Sequence, residues 1–215
     1  ARRAIVRCVS TGELAEETTL LPVAHLTAVS HSTEELRAMV GAYADRGISN
    51  ILVLRGDPPG DPLGEWKKHP EGVEYAEELV RMVRDLGDFH VGVASFPEGH
   101  YRAPDLAYDT KYLVSKLRAG AEYSITQMFF DVEDYLRLRD RVSAYDAEQG
   151  AKPIIPEIMP VTSLRSVRRM LELSGSSLPP LSSVDSTPRP EAVRTRTVQR
   201  SANSASIWPP RWVSG

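Results

Sequence analysis

The chain has one cysteine in 215 residues, and its five histidines show no metal-binding spacing. Cys8 therefore has no partner for an internal disulfide or a cysteine-based metal site, and we interpret it as a helix-packing residue. A run of about 18 apolar residues, as a membrane helix needs, is also missing, and so is a signal-peptide pattern. These absences predict no metal site, no membrane span and a cytoplasmic location.

The sequence also lacks an excess of positive charge, since its formal net charge is -3. No broad basic field is therefore available to bind nucleic acid. The composition, with 41% hydrophobic and 26% charged residues, is typical of a soluble globular protein. The sequence leaves open whether the chain forms a homo-oligomer.

The composition changes near the C-terminus. Residues 176–215 hold nine serines, six prolines and five arginines but only two acidic residues, and they show no amphipathic stripe. We therefore expect a folded domain over residues 1–178, followed by a tail over residues 179–215 that is disordered or read out of frame.

Short apolar runs alternate with helical stripes between residues 22 and 175, which is typical of a parallel sheet wrapped by helices. Each run is rich in Val, Ile or aromatic residues and precedes a helix. The predicted strands are Pro22–Val29, Asn50–Leu54, Phe89–Phe96, Tyr123–Phe129 and Pro153–Met159. Residues 1–17 are also predicted to be helical.

The helices carry start and stop signals. Ser32 and Glu35 form a capping box, and Gly47 is expected to stop the helix that follows. The apolar stripes are predicted to pack in the core, and they comprise Leu36, Met39, Val40 and Tyr43; Tyr75, Leu79, Met82, Val83 and Leu86; Tyr112, Leu113 and Leu117; and Leu164, Val167, Met170 and Leu171.

Five strand-helix units fit two architectures. A TIM (β/α)8-type barrel needs eight units, so this chain would hold an incomplete one. An open doubly wound sheet needs no further strands, but no Gly-rich dinucleotide fingerprint follows the first strand.

Polar residues lie at or just after the C-terminal end of each predicted strand, where parallel-sheet proteins keep their binding sites. They are His25 with Thr27, Arg55 with Asp57, Glu98 with His100, Gln127, and Thr162. Such convergence predicts one shared cofactor or substrate site at this rim.

The residue types favour redox chemistry over hydrolysis. No Ser-His-Asp order or nucleophile elbow is present, and no carboxylate pair can be assigned to acid and base roles. Arg55 and Lys116 could hold a pyrophosphate. If Asp57 lies beside a heteroaromatic ring, its carboxylate would oppose negative charge there and favour a cationic partner. Gln127 can both donate and accept, as the edge of a pterin or flavin requires.

These motifs resemble the bacterial 5,10-methylenetetrahydrofolate reductase family over residues 10–178. The motifs that match are His25-Leu26-Thr27, Leu54-Arg55-Gly56-Asp57-Pro58-Pro59-Gly60, Phe96-Pro97-Glu98-Gly99-His100, Ile125-Thr126-Gln127-Met128-Phe129-Phe130-Asp131, and Ile154-Ile155-Pro156 with Met159-Pro160-Val161-Thr162. The resemblance implies an FAD-bearing barrel in which NADH or NADPH reduces the flavin. The flavin then reduces methylenetetrahydrofolate to methyltetrahydrofolate for methionine synthesis.

The resemblance also implies roles for individual residues. Asp57 and Gln127 would be catalytic, Gln127 would face the folate and the nicotinamide in turn, and Met170 would contact the substrate. The implied FAD contacts are His25, Arg55, Gly56, Asp57, Tyr75, Ala76, Phe96, His100, Ala103, Asp109 and Lys116.

The chain departs from the family pattern at three positions. Ser115 replaces an FAD-binding arginine, Ser166 replaces a substrate-contacting glutamine, and Glu157 replaces a glycine and would place a carboxylate in a barrel strand. Two N-terminal strands, the first with the general acid, and one C-terminal strand of the family pattern are also missing. We therefore expect little folate turnover by this chain alone, and a non-catalytic flavin-binding remnant or another small-molecule barrel enzyme stays an alternative.

Overall fold

A computed structural model of the chain describes residues 21–61, 64–158 and 171. Five parallel strands form one sheet, and they are Val23–Thr27 (β1), Asn50–Leu54 (β2), His90–Ser95 (β3), Tyr123–Thr126 (β4) and Ile154–Ile155 (β5). The helices are Thr33–Ala44 (α1), Ala76–Leu86 (α2), Leu106–Arg118 (α3), Val132–Tyr145 (α4) and the short Ala147–Gly150 (α5). None of the described helices is long and apolar enough to cross a membrane.

The strand order is β1-β2-β3-β4-β5, so strands that follow one another in the chain are neighbours in the sheet. A doubly wound sheet would reverse its order at a switch point, and no reversal occurs among the described strands. Sequential parallel strands joined by helices form the wall of a TIM-type barrel. The described part of the chain therefore confirms the predicted α/β barrel class, with five parallel strands in an unclosed sheet.

The pleat of the strands gives the sheet two different faces. Ala24, Leu26, Ile51 and Val53 belong to the hydrophobic core beneath the helices. Alternate residues point to the opposite face, where His25, Leu52, Ala94 and Ile125 line a cavity. The same pleat therefore supplies both the core and the floor of the candidate site.

The start of α1 is as predicted. The Ser32 side chain accepts a hydrogen bond from the Glu35 backbone N–H at 3.2 Å, and Glu35 accepts one in return from the Ser32 backbone N–H at 2.9 Å. The helix ends at Ala44, three residues before Gly47, which has a φ of 68°. The predicted apolar stripe of this helix is buried throughout.

Three residues that were predicted to pack in the core are not fully buried. Tyr75 is the N-cap of α2 and Leu86 is its last residue, and each side chain is 37% exposed because helix ends project past the packed face. Tyr112 is only partly buried. Apart from β2, the strands are shorter than predicted.

Some predictions concern residues outside the described part of the chain. These are Cys8, the helix over residues 1–17, Thr162, Ser166, Met170, most of the helix that contains Leu164, and the tail over residues 179–215.

Candidate functional site

A cavity of about 510 Å³ lies at the C-terminal ends of the strands. Its lining includes Gln127 and every flavin contact that the resemblance implies, namely His25, Arg55, Gly56, Asp57, Tyr75, Ala76, Phe96, His100, Ala103, Asp109 and Lys116. These predicted residues, which lie up to 102 positions apart in the sequence from His25 to Gln127, are thus brought to one place. The volume is within the usual range of small-molecule sites, roughly 300–1,000 Å³.

The segment after β2 forms one side of the cavity. Gly56 has a φ of 80°, and a Cβ there would lie 2.7 Å from Val29 Cγ1, so both conformation and space require glycine. The Arg55 guanidinium lies 5.0 Å from the ring centre of Trp66, whose indole N–H donates to Gly56 O at 3.2 Å. These contacts hold Arg55 and the backbone of Gly56 at the rim.

His100 is a neutral hydrogen-bond donor in the cavity. Burial, together with the positive charges of Arg55, Lys116 and Arg102, lowers the pKa of His100 to about 4. Its Nδ1 accepts the Arg102 backbone N–H at 3.1 Å, so Nε2 carries the proton. The ring packs edge-on against Phe96 and stacks on Tyr101, with both centroids 4.6 Å away. Its orientation and tautomer are therefore fixed.

Lys116 and Asp109 supply opposite charges from α3. The Lys116 ammonium donates to Ala94 O at 2.6 Å. Burial lowers the pKa of Lys116 to about 8, while Asp109 opposes that shift. Burial raises the pKa of Asp109, and Lys116, the His100 backbone N–H and Arg141 oppose it. The Lys116 side chain is therefore mostly protonated at neutral pH, and its positive charge can hold an anion.

Gln127 extends from the end of β4. Its backbone N–H donates to Ser95 O at 2.7 Å, and its side-chain Oε1 accepts the Met128 backbone N–H at 3.0 Å. The amide oxygen is thus engaged with the backbone. The amide NH₂ group remains as the donor that the side chain can present to a ligand.

An aromatic rim borders the cavity at α2 and α3. Tyr75 stacks on Tyr112 with centroids 5.4 Å apart, and Tyr108 lies 4.7 Å from Tyr112. The Tyr108 hydroxyl donates to the Tyr112 hydroxyl at 3.2 Å. Such a rim offers apolar faces to a planar ring.

Two of the predicted polar residues do not line the cavity, and a third lines it but does not lie in a strand as predicted. Thr27, the last residue of β1, and Glu98, which follows β3, do not line it. Glu157 does line it but does not lie in a strand, because β5 ends at Ile155. Its side chain is exposed, so the predicted carboxylate within a barrel strand is wrong.

Four prominent residues of the cavity lining were not identified from the sequence motifs. Trp66, Tyr101, Arg102 and Tyr108 all face the cavity. Trp66 lies in a loop without periodicity, so only its tertiary contact with Arg55 reveals it. Tyr101 and Arg102 directly follow His100 at a strand exit, which is the signal that could have identified them.

The sequence comparisons agree on one family. The model of the family described as methylenetetrahydrofolate reductase matches residues 6–204, which extends past residue 178, the limit of the motif resemblance. The 5,10-methylenetetrahydrofolate reductases of Salmonella typhimurium and Escherichia coli are 39% and 38% identical over 167 residues, covering 76% of this chain and 52% of theirs. Methylenetetrahydrofolate reductase 1 of Schizosaccharomyces pombe is 37% identical over 157 residues, covering 72% of this chain and 25% of its own.

A solved structure supports the fold. A protein from Clostridium thermocellum that binds two copies of 5-methyl-5,6,7,8-tetrahydrofolic acid superposes with a TM-score of 0.58 at 16% identity, covering 82% of this chain and 56% of that one. The chain spans about half the length of the bacterial relatives it matches. Its family match nevertheless covers most of the 215 residues, and the chain belongs to the methylenetetrahydrofolate reductase family.

Proposed function

We propose that the cavity is the FAD site of a reductase that uses NADH or NADPH to reduce 5,10-methylenetetrahydrofolate to 5-methyltetrahydrofolate, with little folate turnover expected from this chain alone. The observation that carries this proposal is that every position that the family resemblance implies as a flavin contact lines one cavity together with Gln127. The family assignment supports the same reaction. The product would serve methionine synthesis, and the site would work in the cytoplasm.

The chemistry of the lining fits a flavin dinucleotide. Arg55 and Lys116 offer cations for a diphosphate, and the neutral His100 offers one N–H donor. Asp109 is 8% exposed, and its Oδ2 has no hydrogen-bond partner within the described protein. A buried carboxylate oxygen without a partner is costly, and a ribose hydroxyl would satisfy it.

Bound FAD would supply a group that accepts a hydride from the nicotinamide and donates it to the folate. The residues of the chain would bind and orient the reactants. Asp57 would stabilise a cationic iminium form of the folate and oppose added electron density on the flavin ring. Gln127 would donate its NH₂ group to the folate and the nicotinamide in turn.

The test is anaerobic reduction of the FAD-loaded chain. NADH or NADPH should bleach the flavin colour, and menadione should restore it by accepting the electrons. 5-Methyltetrahydrofolate should slow the bleaching competitively, because folate and nicotinamide would use the same face. A bound flavin that neither nucleotide reduces would contradict the proposal, as would a rate of reduction that the folate does not change.

A further inference from the structure

Asp57 receives a hydrogen bond from a residue that the family motifs do not include. The Tyr101 hydroxyl lies 3.4 Å from Asp57 Oδ1, across the mouth of the cavity. The two residues are 44 positions apart and come from the loops after β2 and β3. The contact therefore links two neighbouring strand exits.

Arg102 holds the same hydroxyl from the other side. Its Nε donates to the Tyr101 oxygen at 2.8 Å, and its Cζ lies 4.9 Å from the centre of the Tyr101 ring. Its Nη2 also donates to Gly64 O at 2.6 Å, so the guanidinium is anchored to the loop after β2. Three contacts fix the position of this cation.

The direction of the chain of hydrogen bonds follows from the groups involved. A guanidinium has donors only, so the Tyr101 oxygen accepts from Arg102. An ionised carboxylate accepts only, so the Tyr101 proton is donated to Asp57. Arg102 thus polarises the hydroxyl and strengthens its donation to the carboxylate.

This arrangement reduces the negative field that Asp57 exerts inside the cavity. Positive charge on Arg102 and a donated proton from Tyr101 both offset the carboxylate charge. The offset depends on the hydroxyl, which can be removed without changing the ring. Tyr101 is therefore the point at which the arrangement can be tested.

We propose that Tyr101, supported by Arg102, is a positioning residue that weakens the field of Asp57 at the flavin and keeps the flavin easier to reduce. The inference rests on the proposed function, since it requires FAD in the cavity. It adds to that function a pair of residues that sets the reduction potential of bound FAD. Neither residue belongs to the predicted set of flavin contacts.

The experiment compares the reduction potential of bound FAD in the unmodified chain, three single variants and one double variant, by equilibrating each with a reference dye. Tyr101→Phe should make the potential more negative, because the carboxylate loses its donor. Asp57→Asn should make it more positive. Tyr145→Phe is the control, since Tyr145 is 49% exposed at the end of α4 and does not line the cavity, and the flavin potential in this variant should equal that of the unmodified chain.

The double variant Y101F/D57N shows whether Tyr101 acts through Asp57. In the D57N background Tyr101→Phe should produce no further negative shift, because the carboxylate is absent. An equal shift in both backgrounds, or no shift in either, would overturn the inference while leaving flavin binding intact. A chain that binds no FAD would overturn the proposed function and this inference together.

Discussion

Asp109 accepts the backbone N–H of His100 through Oδ1 at 3.3 Å, while its buried Oδ2 has no hydrogen-bond partner within the described protein. One oxygen thus positions the loop after β3, and the other is left for a ligand. Arg141 on α4 holds the same loop by donating to Pro97 O at 3.1 Å. Two helices therefore fix the loop that carries His100.

Asp109→Asn should weaken FAD binding about tenfold to hundredfold, because a charged acceptor is lost. Burial raises the pKa of Asp109, so the folded protein holds its proton more tightly than the unfolded chain does. The free energy of unfolding should therefore fall as pH rises through the raised pKa of Asp109. Asp109→Asn should remove this pH dependence. FAD titration and denaturant unfolding over a range of pH check both parts, and unchanged FAD affinity would contradict the proposed role.

Burial lowers the pKa of Lys116 to about 8. The affinity for FAD should therefore fall as pH rises above this value. Only the protonated amine attracts the diphosphate, so the effect lies on the alkaline side. Lys116→Arg should flatten this dependence, since arginine stays charged throughout. Fluorescence titration of both proteins from neutral to alkaline pH measures it, and a dependence that survives in the variant would assign it to another group.

Gln127→Ala should leave the FAD content unchanged while it slows reduction by NADH and weakens binding of 5-methyltetrahydrofolate. The amide NH₂ is assigned to the substrate face, so its loss removes contacts to both substrates but none to the cofactor. Flavin absorbance measures content, and stopped-flow bleaching measures the rate. Loss of flavin in the variant would place Gln127 on the cofactor instead.

Gly92→Ala should destabilise the fold by about 1–3 kcal/mol, because a Cβ at this position in β3 would overlap the ring of Tyr123 in β4. Gly41→Ala is the matched control, since Gly41 lies within α1 with no atom within 4 Å of the new Cβ. It should stabilise by about 0.5–1 kcal/mol. Denaturant unfolding of both variants gives the two differences, and equal effects would contradict the packing argument.

Local signals in the sequence predicted much of the fold. β2 has the predicted bounds, because its buried apolar run ends where Arg55 and Gly56 begin the loop. The Ser32 capping box is likewise a short-range pattern that tertiary packing does not override. Motifs at strand ends predicted the cavity lining, since parallel strands bring their C-terminal ends to one rim.

Other features depend on contacts that periodicity does not describe. Tyr75 fits the helical stripe of α2, yet it lies at the N-cap and faces the cavity. Trp66 joins the site only through its contacts with Arg55 and Gly56. Arg102 likewise acquires its place through Tyr101 and Gly64, which separate loops bring to it.

Equilibrium titration with FAD tests the central claim, that this cavity holds the flavin dinucleotide, most directly. The chain is compared with Lys116→Met and with Lys111→Met, a substitution of an exposed lysine on the same helix that does not line the cavity. The chain and the Lys111 variant should bind one FAD with equal affinity, and the Lys116 variant should bind about tenfold more weakly or worse. Equal affinity in all three proteins, or no binding by the unmodified chain, would contradict the account.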